Sequence, residues 1–199
     1  ILAFENFLLL MVVIFGLQFV DRSFGPILPL FVHSLGADGD RVPLIAGILF
    51  SVSAAAGAMG NNLAGPLMRR TGARLVIASA CGTAAAGVAG FLAAGSAWWL
   101  TLPTAIFGIA IGSATTSAYT AASSIIPSGA RGSGFGLLTT ASLAGLAVSP
   151  IASGLLGATS IRAVFLVDAL ILGSLAVVVS RLMITAPLPP PESLPTEEI

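Results

Sequence analysis

Apolar residues run along this chain in long blocks, and polar residues are confined to short breaks between them. A helix needs ~20 apolar residues to cross the hydrocarbon of a bilayer. Six blocks meet that length, at residues 7–32, 43–68, 75–94, 98–126, 135–156 and 162–182. The predicted fold class is therefore an all-α membrane protein with six transmembrane helices.

The breaks fit the blocks. Residues 34–41 carry Gly36, Gly39 and two aspartates. Pro43 opens the second block, a helix start where its missing N–H costs nothing. Trp98 and Trp99 stand at the start of the fourth block, and indole rings favour the membrane–water interface. The most polar break is Gly65-Pro-Leu-Met-Arg-Arg-Thr-Gly-Ala-Arg74, which holds three of the eight arginines. A short basic loop between two spans is most simply cytoplasmic, because the Lys/Arg bias sets orientation. With the chain start inside, Arg69, Arg70, Arg74, Arg131 and Arg181 fall inside, Arg41 and Arg162 fall outside, and Arg22 lies within a span. This distribution predicts both termini in the cytoplasm.

Composition sharpens the class. The chain is 56% hydrophobic and 8% charged, against ~25% charged residues in soluble domains. It has too few charges to cover a water-facing surface, so the lipid bilayer is its expected surroundings. Its formal net charge of zero gives no support for nucleic acid as a partner. The single cysteine, Cys81, lies in an apolar span and reads as a packing residue, with no disulfide, metal site or cofactor implied. The first block has no basic segment before it and no cleavage site after it, so it reads as a span rather than a signal peptide. The chain opens on Ile1 rather than Met, which leads us to expect something longer. Residues 1–186 form the expected transmembrane part. Residues 187–199 hold five prolines and three glutamates and are expected to be a disordered cytoplasmic tail.

Small residues recur at four-residue spacing: Gly82, Ala86 and Gly90, then Gly108 and Gly112, then Ser149 and Ser153. Lipid tails provide no hydrophobic reason for helices to associate, so such residues hold a bundle together by letting backbones approach.

Polar groups inside the spans are the candidate chemistry. The first block is apolar to Val20 apart from Gln18, then meets Asp21, Arg22, Ser23, Gly25, Pro26 and Pro29. Asp21 lies ~21 Å along a helix from Phe7, past the midplane. Adjacent side chains on a helix point about 100° apart, so Asp21 and Arg22 do not form the usual i,i+4 pair. Broken helices with polar residues near mid-membrane are how transporters build binding sites. The alternative is an interfacial Asp–Arg, with the helix ending early and the Pro segment forming a loop. Asp168 lies ~9 Å inside the outer end of the sixth span. It is a candidate proton relay, or else a carboxylate that snorkels outward or pairs with Arg162. Asn61 and Asn62 suit hydrogen bonds between helices. Tyr119, among Thr115, Thr116, Ser117 and Thr120, lines an aqueous path or caps helix contacts. An intramembrane serine protease would need Ser153 and His33 at one depth. Ser153 lies near the outer end of the fifth span, so depth allows that reading, but Gly-Ser pairs are frequent here and we set it aside. No phosphate loop followed by Lys suggests ATP use.

Several of these stretches resemble the major facilitator superfamily, in particular the carboxy-terminal half of a drug-efflux-like member. Residues 65–74 resemble the family's loop signature of glycine, leucine, aspartate, arginine, glycine and basic residues. Gly65, Leu67, Arg70, Gly72 and Arg74 match, while Arg69 stands at the aspartate position and Ala73 at the first of the final basic positions. Phe107-Gly-Ile-Ala-Ile-Gly112 resembles the start of the tenth helix, without the upstream arginine usual in a first-half copy. Pro127 through Arg131-Gly132, with Gly136, Gly145, Pro150 and Gly154, resembles the eleventh helix and the loop before it. Phe24-Gly-Pro-Ile-Leu-Pro-Leu-Phe31 resembles the outer end of a first or seventh helix.

The resemblance implies two three-helix repeats of inverted topology, half of a twelve-helix fold, with these spans as helices seven to twelve. It implies a pathway lined by Gln18, Asp21, Arg22 and Tyr119, and a gating loop at Gly65, Arg70, Gly72 and Arg74. The implied partners are an amino-terminal six-helix half, a small-molecule substrate and protons. The expected activity is proton-coupled efflux by alternating access, in a bacterial inner membrane. An apolar-lined cavity with few charges suits amphipathic or cationic solutes. The rivals are a sugar or metabolite importer of the same superfamily and a non-transporting scaffold half.

Overall fold

A computed structural model describes residues 2–184, with side chains from residue 5 onward. The expected tail at 187–199 lies outside the described residues. Six α-helices follow one another: α1 (Leu2–Ser34), α2 (Val42–Thr71), α3 (Ala73–Leu92), α4 (Thr101–Ile125), α5 (Arg131–Thr159) and α6 (Ile161–Leu182). Single 3-10 turns lead into α2, α4 and α5. All six helices are long and apolar enough to cross a membrane, and no strand occurs among the described residues. The chain is an integral membrane protein, as its apolar blocks predict.

Two local expectations change. The first span is not broken, because α1 runs through Pro26 and Pro29 to Ser34. Each proline removes only its own N–H, and a membrane helix packed on its neighbours tolerates that loss. The basic stretch is not a loop either. Gly65, Pro66, Arg69 and Arg70 all belong to α2, and the connection to α3 is Gly72 alone. Gly72 sits at φ +83°, a conformation that a residue with a Cβ rarely adopts. Its N–H caps α2 on the Met68 carbonyl at 2.9 Å. Two arginines in the last turn of α2 also suit the negative end of the helix dipole.

Helix directions follow from paired residues. Gly57 and Gly60 of α2 pack on Gly108 and Ile109 of α4, and Asn61 reaches Thr116 further along, so these two helices run parallel. Ser149 of α5 bonds the Phe19 carbonyl at 2.5 Å and Gly157 meets Ile27, so α1 and α5 are parallel too. In α1 and α6, Asn6 lies beside Ile184, Gly16 beside Leu175 and Ser23 beside Asp168, which makes them antiparallel. Gly87 and Gly90 of α3 meet Phe107 and Pro103 of α4 in the opposite sense as well.

These pairings carry an internal symmetry. Exchanging α1 with α4, α2 with α5 and α3 with α6 turns the α2–α4 packing into the α5–α1 packing and leaves α3–α6 unchanged. Each repeat has three spans, so the second repeat enters the membrane from the opposite side and is inverted. This is the half-fold of two inverted repeats that the resemblance implies. The correspondence is approximate, since α3–α4 packing is more extensive than α6–α1 packing.

The apolar core lies between α1, α3, α4 and α6. Five phenylalanines meet there. Phe24 stacks on Phe107 at 4.7 Å between centroids, and Phe165 stacks on Phe91 at 5.1 Å and meets Phe31 edge-on at 4.8 Å. α2 and α5 are the least covered helices of the bundle, with 22% and 17% of their most apolar windows buried.

Candidate functional site

The most polar recess of the bundle lies where α1 faces α2 and α4. It is a cavity of about 430 Å3 that reaches from the middle of α1 towards the first turns of α2 and α4, within the ~300–1,000 Å3 usual for small-molecule sites. α1 supplies Asp21, Arg22, Phe24, Gly25 and Leu28. Across the cavity stand Ser53, Gly57 and Asn61 of α2, with Thr104, Phe107 and Ile111 of α4. The last three are spaced three and four apart and form one helical face.

Asp21 and Arg22 sit near the midpoint of the 33-residue α1. Their side chains do pair: Arg22 Nε lies 3.6 Å from Asp21 Oδ2. The pair is open to the cavity, with 55% of the Arg22 side chain and 35% of the Asp21 side chain exposed. A separation of 3.6 Å is an ion pair without a good hydrogen bond, so both groups keep bonding capacity for a third party. The prolines add acceptors on the same wall. Pro26 has no N–H for the Arg22 carbonyl, and Pro29 has none for the Gly25 carbonyl.

On the opposite wall, Thr116 donates to Asn61 Oδ1 at 2.9 Å, leaving the Asn61 amide hydrogens free. This is the interhelical bonding expected of Asn61. Thr104 is 4% exposed, and its hydroxyl has no hydrogen-bond partner. A buried orphan hydroxyl costs free energy unless something fills the space beside it.

Asp168 neither snorkels outward nor meets Arg162. It is buried at 1% exposure on α6, and its Oδ2 is bonded to the Ser23 hydroxyl of α1. Ser23 is also within 2.8 Å of the Val20 carbonyl. Ser23 directly follows Arg22, so neighbouring α1 side chains face the open cavity on one side and the closed carboxyl on the other.

The other expected site residues are not gathered here. Gln18 is half-buried and turned towards α5, where Gly145 comes close to its Cβ. Tyr119 packs half-buried against the core, and Ser117 beside it has a buried hydroxyl without a partner. Gly65 is half-buried in α2 and Arg70 is exposed. Arg74 bonds the Ser180 carbonyl near the end of α6, where a cation suits the helix dipole. Ser153 and His33 are not brought together. Ser149 is level with Phe19 and Gly157 with Ile27, which puts Ser153 level with Ser23, about 15 Å below His33. Ser153 bonds the Pro150 carbonyl of its own helix at 3.3 Å.

Sequence reasoning missed Ser53 and Thr104, and noted Ser23 without a role. Serine and threonine are ordinary in membrane helices, because they bond their own backbone. Only the three-then-four spacing of Thr104, Phe107 and Ile111 hinted at a shared face.

Residues 7–199 match the family described as Major Facilitator Superfamily. The chain is similar to a protein named "Multi-drug resistance efflux pump PmrA homolog" in Lactococcus lactis subsp. lactis (strain IL1403). Identity is 31% over 144 residues, covering 71% of this chain and 35% of that relative. The matched region therefore spans about a third of the relative's length.

Proposed function

We propose, given that this chain belongs to the major facilitator superfamily, that it forms the carboxy-terminal half of a secondary transporter, with α1–α6 as helices seven to twelve. The solute is a small molecule, moved outward by alternating access and coupled to protons. The name of the relative, a multidrug efflux pump, favours export. The observation that carries the reading is the cavity with its open, mid-span Asp21–Arg22 pair. Charges at that depth are costly unless they face water or a partner. An amino-terminal half would close the open side of the cavity. The ends carrying Arg69, Arg70, Arg74, Arg131 and Arg181 are cytoplasmic, with both termini, in a bacterial inner membrane. Gly72, the one-residue joint between α2 and α3, is the hinge on that side.

Asp168 is the coupling site. Ser23 has one hydroxyl proton and two acceptors, the Val20 carbonyl and Asp168. Both contacts are hydrogen bonds when Asp168 carries a proton and donates it to Ser23, which donates in turn to Val20.

The test uses everted vesicles from cells expressing the complete reading frame, loaded with a fluorescent amphiphile outside and acidified inside. The expected result is accumulation that collapses when a protonophore is added. Asp168→Asn should stop the acceleration by the pH gradient and leave solute exchange down its own gradient intact. Accumulation in wild type that ignores the pH gradient would sink the coupling, and no protein-dependent movement at all would return the scaffold reading.

A further inference from the structure

A second recess lies at the end of the bundle where α1 and α5 begin and α4 stops. It is an apolar groove of about 350 Å3, walled by Phe7, Ile126, Pro127 and Leu137 and edged by Ala130 and Ser133. Arg131, the first residue of α5, is exposed between those two rim residues. It makes no ion pair among the described residues. The groove thus offers an apolar floor, one aromatic ring and a cation at its edge. The positive end of the α5 dipole adds to that cation.

Six spans return the chain to the side on which α1 starts, so α6 ends at the same end of the bundle as the groove. The chain is tied down where it leaves. The Asn6 amide donates to the Ile184 carbonyl at 2.9 Å, and the Ile184 N–H donates to Asn6 Oδ1 at 3.1 Å. Two bonds between one side chain and one residue's backbone fix position and direction together. Asn6 is also the residue before Phe7, so the chain departs one residue along α1 from the wall of the groove.

The sequence that follows suits the groove. Residues 187–192 read Pro-Leu-Pro-Pro-Pro-Glu. Prolines fix φ and favour an extended helix that rises ~3.1 Å per residue. Pro-rich segments in that form enter aromatic-lined grooves. The lengths agree as well. Passing α1, ~10 Å across, and a groove roughly 7–10 Å wide takes about six to eight extended residues. Counted from Ile184, that carries Pro187–Pro191 over the groove and brings Glu192 to Arg131.

We propose that residues 187–192 of this chain dock in this groove. Leu188 and the prolines lie against Phe7, Pro127 and Leu137, and Glu192 pairs with Arg131. Because α5 packs extensively on α1, and α4 on α2, the docked segment staples one helix pair to the other. The inference does not depend on the transport reading.

The test watches the groove through Ser133→Cys, an exposed rim position, in the complete protein in lipid nanodiscs. Labelling by a water-soluble maleimide is timed, and Cys81 is fully buried and does not compete. A segment tethered beside its site has an effective concentration of order 1 mM, so an intrinsic Kd of ~0.1 mM keeps it docked about nine-tenths of the time. A stop codon after Ala186, which leaves the Asn6–Ile184 bonds in place, should then speed labelling roughly 10-fold. Leu188→Asp and Arg131→Glu should each speed it roughly 2- to 5-fold. A new carboxylate beside the thiol disfavours the thiolate and by itself slows the reaction, so the faster rate of Arg131→Glu reports an opened groove. Adding Glu192→Arg to Arg131→Glu should bring back the slow rate. Arg70→Glu, at the end of α2, should change nothing, and a rate that responds to it equally shows a tail held by charge alone. Fast labelling with or without the tail shows an open groove. Slow labelling in both shows a groove covered by the amino-terminal half or by lipid. Each of these three results overturns the inference, as does a truncation effect that neither Leu188→Asp nor Arg131→Glu reproduces.

Discussion

Replacing Gly60 by alanine should loosen the bundle more than any other single methyl added to a glycine of α6 or the middle of α2. A Cβ on Gly60 would meet the Ile109 carbonyl group, with its carbon at 2.9 Å and the Ile109 Cα at 3.0 Å. These are backbone atoms and cannot turn aside. Relief requires α2 and α4 to separate by about 0.5–1 Å, which forfeits a quarter to a half of each dispersion contact across the seam. At ~0.1–0.2 kcal/mol per contact, several tens of contacts lose roughly 1–3 kcal/mol, in line with measured overpacking. The Ser113 hydroxyl, 2.9 Å from the Gly60 carbonyl, would be stretched as well, for about another 0.6 kcal/mol. The expected loss is thus about 2–3 kcal/mol. Gly112 faces the Gly57 carbonyl in the same way and should behave alike. Gly57 is the internal control, because its nearest neighbour is the Gly108 carbonyl oxygen at 3.6 Å, an ordinary contact. Gly173 on α6 is the external one, with nothing within 4 Å, and alanine there should gain up to ~1 kcal/mol of helix propensity. Reversible unfolding of each variant in mixed micelles, titrated with denaturing detergent, gives the ranking. Gly60→Ala unfolding no earlier than Gly173→Ala would refute backbone-on-backbone packing between α2 and α4.

Three further outcomes follow from the same packing. Phe165→Ala removes a fully buried ring that stacks on Phe91 and meets Phe31 edge-on, and should cost about 3–5 kcal/mol in the same titration. Cys81 is fully buried and free, so a membrane-permeant maleimide should label it only after unfolding, and rapid labelling of the native protein would contradict its place in the core. Arg74→Ala removes the bond to the Ser180 carbonyl and should cost under ~1 kcal/mol because the site is exposed. Arg70→Ala, on the exposed end of α2, serves as its control, and equal melting of the two would show that the Arg74 contact contributes nothing.

The six spans were legible because hydrocarbon thickness sets a length that apolar blocks either reach or miss. Their ends were less legible, since hydropathy reports where polar residues begin rather than where backbone hydrogen bonding stops. α2 therefore runs past Pro66 and two arginines before Gly72 turns the chain. Asp21 and Arg22 stood out as charges in an apolar run. Gln18, one turn earlier and between them in helical angle, looked like their companion, but it does not line the cavity and its Cβ lies beside Gly145 of α5. A helix that is apolar all round has no polar stripe from which to read its rotation. Asp168 was visible as a charge, whereas its partner was not. Ser23 lies 145 residues away, and nothing local distinguishes it from a serine that bonds its own helix.

The pattern of packing also fixes how the cavity is able to change. Within each three-helix repeat the sequential neighbours barely touch, and the extensive pairs, α2 with α4, α1 with α5, and α3 with both α4 and α6, each join one repeat to the other. The first pair is held by glycines against backbone, the second by Gly145 against the Phe15 carbonyl and by Ser149 on the Phe19 carbonyl. Such pairs resist sliding, because any slip within them drives a backbone into a backbone. The cavity takes one wall from α1 and the other from α2 and α4, so it lies between these two pairs rather than inside either. Asp168, on α6, holds α1 from behind through Ser23. Under the proposed coupling, a proton gained or lost there would act on the pair that carries Asp21 and Arg22, which are two residues and one residue along the same helix from that serine. The Asp168 carboxyl and the charged pair are therefore joined through a single turn of α1.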